Sequence, residues 1–194
     1  MATYNELENV MKRYIDGNSS SRAECSYRLR ELLKNKSVDS RYDLLMNVRG
    51  DKYSTWTGLH EAALDNDLES IRYMLHGFPS DKKYDVLKIQ SVGCTSLHWA
   101  AYRGHSSIIT YLMTDLPKQQ KYDILKMRDR CGDTALHDAA SENSVGACRA
   151  IVASVPSHLL IELLNIKNHR GKSATDIRPE LQNAFTQSLA QGMI

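Results

Sequence analysis

The sequence of 194 residues predicts an all-α fold built from repeated helix-turn-helix segments. A seven-residue pattern occurs three times, as TGLHEAA at 57–63, TSLHWAA at 95–101 and TALHDAA at 134–140. The histidines of successive copies are 38 and then 39 residues apart, and self-similarity at such a period is typical of stacked supersecondary units. A second apolar segment follows each copy after a short polar turn, so each repeat has room for two helices.

The first helix of each repeat is predicted to begin after a threonine, Thr57, Thr95 or Thr134. A threonine hydroxyl at this position accepts the free amide hydrogens of the first helical turn. The leucine and the paired alanines that follow lie on one helical face. Small alanine side chains let two helices approach closely, so we expect these first helices to be buried.

The turn between the two helices of each repeat carries Asn66, Gly104 or Asn143. These residue types best tolerate the left-handed backbone conformation that closes a helix. The second helices then begin at 68, 106 and 145. Their apolar residues, such as Ile71 and Leu75, recur at spacings suited to a buried stripe.

Turn-rich stretches stand before the repeated pattern, at 91–94 and 129–133 and again at 168–172. We predict that they form short β-hairpin tips between repeats. The first repeat has a longer stretch instead, residues 49–56 with Tyr53 and Trp56. This stretch is expected to project as a longer, aromatic finger.

A further element recurs between each second helix and the next tip, as YDLL at 42–45, YDVL at 84–87, YDIL at 122–125 and IELL at 161–164. Pro79, Pro117 and Pro156 stop the helices before the last three copies, and polar residues follow that can start a new helix. We therefore predict an extra helix of one to two turns in every connection. The residues expected to stack along the array are Leu45, Leu87, Leu125 and Leu164. For the Tyr-Asp pair, packing and helix initiation are favoured over a recognition motif.

The two ends of a repeat array must differ from its middle, because a terminal repeat has one apolar face without a neighbour. We predict five segments: a helical capping pair at 1–39, repeats at 40–79, 80–117 and 118–156, and a degenerate fourth repeat with a C-terminal cap at 157–194. In the last segment Asp176 replaces the histidine and Pro179 interrupts the first helix. The alternative for 1–39 is a separate oligomerisation or targeting helix.

Composition narrows the classes of function. The formal net charge of +2, with 25 basic and 23 acidic residues, lacks the basic surface expected of a nucleic-acid binder or a polybasic membrane anchor. No stretch approaches the roughly 18 apolar residues of a transmembrane helix, and no secretory signal is seen, so a cytoplasmic protein is expected. The four cysteines are scattered without a C-x-x-C pair and are predicted to be free thiols.

The repeated segments resemble the ankyrin repeat family, whose pattern is T-P-L-H-x-A and whose repeats have the same order of turn, helix and helix. The resemblance covers residues 40–178 and implies an ankyrin-repeat solenoid. The chain departs from the family in two ways. Gly58, Ser96 and Ala135 replace the usual proline, and the period exceeds the usual 33 residues or so by about five.

The repeated histidines, His60, His98 and His137, are candidate metal ligands, but one per repeat places them about 10 Å apart. Zinc ligands lie about 2 Å from the metal, so these three cannot share one ion. The family resemblance implies that they hydrogen-bond within the turn and the helix start. No catalytic or phosphate-binding motif is found, so no metal, no cofactor and no enzymatic activity are expected.

In ankyrin repeats the tips and the first helices form a concave surface that binds partners, and the resemblance implies the same surface here. The residues at those positions are Tyr53, Trp56, Glu61, Leu64, Asp65, Val92, Cys94, Trp99, Tyr102, Arg103, Arg130, Asp133, Asp138, Ser141 and Glu142. Interface hot spots are enriched in Trp, Tyr and Arg, so Trp56, Trp99, Tyr102 and Arg103 are the predicted anchors. Alternatively, Trp56 and Trp99 only cover the alanine-rich helices.

The sequence therefore predicts a monomeric, non-catalytic adaptor that binds a partner protein through its concave groove. One alternative is a regulatory or targeting subunit that inhibits or positions an enzyme through the same groove. Another is a structural protein that self-associates through its N-terminal helices. The charge balance provides too few phosphate contacts for nucleic acid, and no membrane partner is expected.

Overall fold

The structure is a computed structural model that describes residues 4–17, 19–47 and 56–180. Within these residues it contains thirteen α-helices and no β-strand. The chain divides into two compact parts, an N-terminal half (Met1–Val92) and a C-terminal half (Gly93–Ile194). This division falls within the segment predicted as the second repeat, 80–117, after its connecting helix.

The N-terminal half contains six helices. They are α1 (Tyr4–Asp16), α2 (Ser19–Leu33), α3 (Val38–Asn47), α4 (Gly58–Leu64), α5 (Leu68–Leu75) and α6 (Ser80–Leu87). Helix α1 packs on α2 and α4, and α2 packs on α5, so this first pair lies against the first repeat. Its large apolar side chains, including Leu7, Met11 and Leu29, are buried.

The C-terminal half contains the other seven helices. They are α7 (Ser96–Tyr102), α8 (Ser106–Met113), α9 (Lys118–Leu125), α10 (Ala135–Ser141), α11 (Val145–Val152), α12 (Ser157–Leu164) and α13 (Ala174–Ile177). Corresponding helices of neighbouring repeats pack on each other. The first helix α7 packs on α10, the second helix α8 packs on α11, and the connecting helix α9 packs on α12. The short α13 continues the first row by packing on α10. The buried core lies between these rows, with the paired alanines 0% exposed.

The helix boundaries match the sequence pattern closely. The second helices of the three repeats begin at Leu68, Ser106 and Val145, as predicted. The turn residues have positive φ angles of 61° at Asn66, 75° at Gly104 and 56° at Asn143. The residue types therefore identified the left-handed turn positions correctly.

A connecting helix is present in every connection, as α3, α6, α9 and α12. The prolines before the last three are the N-cap residues of those helices, so they mark helix starts as well as helix stops. Leu45, Leu87 and Leu125 are at most 2% exposed. Leu164 is only half-buried, because Leu160 and Leu163 occupy the inward positions of α12.

The Tyr-Asp element links consecutive connecting helices. The Tyr42 hydroxyl donates a long hydrogen bond of 3.5 Å to Asp85 Oδ2. The Tyr122 hydroxyl donates to Glu162 Oε2 at 2.8 Å, and Lys126 Nζ lies 5.1 Å from the Tyr122 ring centroid. The tyrosine of one connection thus contacts the acidic residue of the next, which supports a packing role.

The tips between repeats are tight turns rather than extended hairpins. The backbone N–H of Asp129 donates to the Asp133 carbonyl at 2.8 Å, and that of Asn168 to the Lys172 carbonyl at 2.9 Å. Most of the predicted finger, and the end of the predicted C-terminal cap, lie outside the described residues, at 48–55 and 181–194. All four cysteines are free. None of the helices in the described ranges is long and apolar enough to cross a membrane.

Candidate protein-binding surface

The repeated Thr and His residues form the scaffold on which this surface is built. In each repeat the threonine N–H donates to the histidine Nδ1 at 3.2–3.3 Å, which closes a capping box at the helix start. The histidine Nε2 lies 3.1–3.3 Å from a carbonyl oxygen in or just before the next tip. These contacts are His60 with Ile89, His98 with Asp133, and His137 with Lys172. Each histidine therefore ties one repeat to the next.

All three histidines are only 1% exposed, so they cannot serve as partner contacts. Burial lowers the pKa of His98 and His137 below the ordinary value. A neutral ring fits this geometry, because Nδ1 accepts a hydrogen bond while Nε2–H donates one. The threefold repetition of histidine thus has a structural cause.

In the first repeat, two of the predicted contact residues are buried. Trp56 is 8% exposed and Glu61 is 2% exposed. The Trp56 indole donates to Glu61 Oε2 at 2.7 Å, and Arg22 of α2 lies 2.8 Å from Glu61 Oε1. Burial raises the pKa of Glu61 to about 7, although Arg22 and the Trp56 hydrogen bond lower it.

The N-terminal helices cover this part of the first repeat through more than one ion pair. Arg22 Nη1 also lies 3.0 Å from Asp65 Oδ2, so one guanidinium bridges Glu61 and Asp65. Leu64, which lies between Glu61 and Asp65 in the sequence, is half-buried, and Asp65 is exposed. In the isolated chain, α2 therefore already contacts the surface of the first repeat that carries Glu61 and Asp65.

Asp67, the N-cap of α5, forms contacts with both N-terminal helices, α1 and α2. Its carboxylate accepts hydrogen bonds from the Tyr14 hydroxyl at 3.1 Å and the Ser26 hydroxyl at 2.5 Å. Arg30 Nη1 lies 3.4 Å from Asp67 Oδ1. Burial alone would raise the pKa of Asp67, but hydrogen bonds from Ser26, Ser70 and Tyr14 lower it overall. Sequence reasoning missed this network, because its partners lie 37 or more residues apart.

In the C-terminal half, the first helix of the second repeat presents an aromatic pair. Trp99 and Tyr102 of α7 pack edge to face, with ring centroids 6.3 Å apart and an interplanar angle of 84°. Trp99 is half-buried, whereas Tyr102 is 44% exposed. Arg103, the C-cap of α7, is also exposed. Three of the predicted residues thus lie together at the end of one helix.

The tips beside this helix contribute residues of mixed exposure. Cys94 is half-buried, and burial raises the pKa of its thiol to about 12, with further effects from the nearby Asp138 and Asp129 carboxylates. Arg130 is exposed at the next tip, and Val92 is half-buried with a left-handed φ of 56°. Asp133 is 9% exposed, because its carboxylate accepts a hydrogen bond of 2.6 Å from the Asn168 amide.

Helix α10 carries the remaining predicted residues. Asp138 is half-buried, and Ser141 and Glu142 are exposed. Burial, together with the nearby carboxylates of Asp129, Asp133 and Glu142, raises the pKa of Asp138 to about 8. Each charged group acting on Asp138 is therefore another acid.

Asp129, Cys131 and Asp133 are the described residues closest to a metal-ligand arrangement, with ligand atoms within 4.8 Å of one another. Asp129 Oδ1, however, accepts the backbone N–H groups of Cys131 and Asp133, both at 2.8 Å. Asp133 in turn holds Asn168 of the next tip. These carboxylates shape the turn, and we assign no metal to them.

A profile of ankyrin repeats, built from three copies of the repeat, matches residues 19–125 and again 59–159. Together these matches span 19–159, well over half of the chain. The chain belongs to the ankyrin repeat family. A comparison with curated proteins found no match.

Ankyrin repeats are generally protein–protein interaction modules. In this ankyrin repeat chain, the Thr, Leu, His and Ala residues of the shared seven-residue pattern are buried, whereas the residues that differ between the repeats include the exposed Tyr102, Arg103, Arg130 and Glu142. Among the described residues, these variable side chains are available to a partner.

Proposed function

We propose that this ankyrin repeat protein is a non-catalytic interaction module that binds a partner protein through the tips and first helices of its C-terminal half. The observation that carries the proposal is the aromatic pair of Trp99 and Tyr102 at the end of α7. Trp99 is half-buried, and Tyr102 is exposed. Exposed Arg103 and Arg130 lie at the end of the same helix and at the next tip. We call the set of Trp99, Tyr102, Arg103, Arg130, Asp138, Ser141 and Glu142 the C-terminal face.

This surface is narrower than the one expected from the sequence. Trp56 and Glu61 are left out, because they are buried against each other and against Arg22. Asp133 is left out, because its carboxylate holds the next tip. Tyr53 lies outside the described residues. Leu64, Asp65 and Val92 belong to the N-terminal half and are also left out, whereas Cys94 is treated as a secondary contact.

The chemistry of the C-terminal face suits protein recognition. Tyrosine, tryptophan and arginine dominate interface hot spots, because they bury a large area and also form directional contacts. The helices beneath are fixed by capping boxes and by the histidine contacts between repeats. A face held in place before binding loses little conformational entropy when a partner docks.

Affinity capture with the full-length chain tests the proposal. The Trp99→Ala/Tyr102→Ala variant is compared with wild type and with Tyr27→Ala, which removes another exposed tyrosine, 63% exposed on α2. Thermal unfolding by circular dichroism first establishes that all three proteins are folded. We expect one set of partners to be captured by wild type and by the Tyr27 variant and to be lost, by at least tenfold, with the double variant. Equal recovery of every partner with all three proteins would contradict the proposal.

A further inference from the structure

The first repeat shows how an acidic pair on a first helix is satisfied. Glu61 follows the histidine of α4, and Asp65 is the C-cap of that helix, one turn later. The guanidinium of Arg22 lies between them, 2.8 Å from Glu61 Oε1 and 3.0 Å from Asp65 Oδ2. One arginine, supplied by a neighbouring helix, thus forms ion pairs with both carboxylates.

The third repeat carries the same pair at the same two positions. Asp138 follows the histidine of α10, and Glu142 is the C-cap of that helix. The long and short side chains are exchanged, so the two acids still span one helical turn. In the part of the chain that the structure describes, no Arg or Lys forms an ion pair with either of them.

The electrostatics of this pair agree with a missing cation. Burial and three neighbouring carboxylates raise the pKa of Asp138 to about 8, and no basic group offsets them. Two of these acids, Asp129 and Asp133, already hold the tip through their hydrogen bonds. Asp138 and Glu142 therefore have acceptor oxygens to offer to a partner.

The neighbouring helix adds a second feature that favours a cation. Helix α7 packs directly on α10, and Trp99 occupies in α7 the position that Asp138 occupies in α10. The faces of Trp and Tyr rings attract guanidinium groups. The acidic pair and the aromatic pair thus lie on adjacent helices.

We propose that the partner protein places an arginine side chain on Asp138 and Glu142, as Arg22 does on Glu61 and Asp65. This inference rests on the proposed function and specifies the chemistry of the partner at the C-terminal face. Arginine is preferred to lysine, because its planar group presents several N–H donors in a fixed fork and can bridge two carboxylates. A lysine ammonium concentrates its charge at one point and fits such a bridge less well.

The test uses the full-length chain, labelled with ¹⁵N and titrated with the peptide acetyl-Gly-Gly-Arg-Gly-Gly-amide. We expect saturable shifts of the Asp138 and Glu142 amides and of the Trp99 indole N–H, with a dissociation constant in the millimolar range. The same peptide with lysine in place of arginine should bind at least threefold more weakly. The Asp138→Asn/Glu142→Gln variant should bind the arginine peptide at least tenfold more weakly than wild type.

A matched control separates site binding from general charge. Asp81→Asn/Glu69→Gln removes two exposed acids elsewhere, one Asp and one Glu as in the test variant. It should bind like wild type. Equal binding of both double variants, equal binding of the lysine peptide, or shifts only at other residues would overturn the arginine assignment.

Affinity capture with Asp138→Asn/Glu142→Gln distinguishes this inference from the proposed function. If the arginine assignment is correct, partners that depend on Trp99 and Tyr102 are also lost with this variant. If they are retained, the C-terminal face still binds protein but no arginine occupies the acidic pair. If no partner depends on Trp99 and Tyr102, the proposed function itself fails.

Discussion

At the scale of single residues, the repeated histidine and the variable residue that follows it have opposite roles. His98 is buried and uses both ring nitrogens, one within its capping box and one toward Asp133. The next residue differs in each repeat, as Glu61, Trp99 or Asp138, and its surroundings decide what it contributes. Glu61 is paired with Arg22, whereas Asp138 faces only other acids among the charged groups that shift its pKa.

The raised pKa of Asp138 makes a prediction about stability. Because this pKa is higher in the folded state than in the unfolded chain, wild type loses stability as pH rises from about 4 toward 8. Asp138→Asn removes this loss, so the variant should exceed wild type at pH 9 by about 1–2 kcal/mol, with little difference near pH 4. Urea unfolding at both pH values measures it.

The exposed Asp81→Asn substitution is the control and should show no such dependence on pH. Buried histidines do not confuse the comparison, because they are the same in wild type and in both variants. An Asp138→Asn protein that is less stable than wild type at pH 9 would show that the ionised carboxylate has a favourable partner.

At the scale of elements, the tips and the helices on both sides of them depend on glycines in left-handed conformations. Gly132 has φ of 78°, and a Cβ there would lie 2.9 Å from the backbone nitrogen of His169. Gly171 has a similar φ of 73°, but nothing lies within 4 Å of its Cβ position. The two glycines share a conformation but differ in packing.

Substitution by alanine separates these two effects. Gly171→Ala should cost about 1 kcal/mol, the usual penalty for a left-handed non-glycine residue. Gly132→Ala should cost about 1–3 kcal/mol more, because the Cβ also collides with the next tip. Urea unfolding of the two variants gives the difference directly. Equal losses would mean that the next tip moves aside for the added Cβ at no cost in stability.

The sequence was sufficient for the local features at this scale and insufficient for the distant ones. Threonine caps, left-handed turn residues and prolines act on their immediate neighbours, so their positions predicted the helix boundaries. Leu164, which was expected to stack with the other three leucines, is only half-buried, because the inward face of α12 is set by packing against α9. The ion pair between Arg22 and Glu61 joins residues 39 positions apart, and no local sequence pattern predicts it.

At the scale of the whole molecule, the two halves offer different surfaces to a partner. In the N-terminal half, the helical pair α1 and α2 already contacts the acidic face of the first repeat. In the C-terminal half, Tyr102 and Glu142 are exposed, whereas Trp99 and Asp138 are half-buried. Because of this difference, the surface that we propose is narrower than the set of candidate residues chosen by repeat position alone.

The central claim is that a partner protein binds the C-terminal face, and site-specific photo-crosslinking tests it most directly. The photoreactive p-benzoylphenylalanine replaces Tyr102 in one protein and Tyr27, an exposed tyrosine of α2, in another. Both are expressed in the native source and irradiated. The account predicts a discrete crosslinked partner from position 102 and none of the same mass from position 27. The same crosslinked product from both positions, or from position 27 alone, would contradict it.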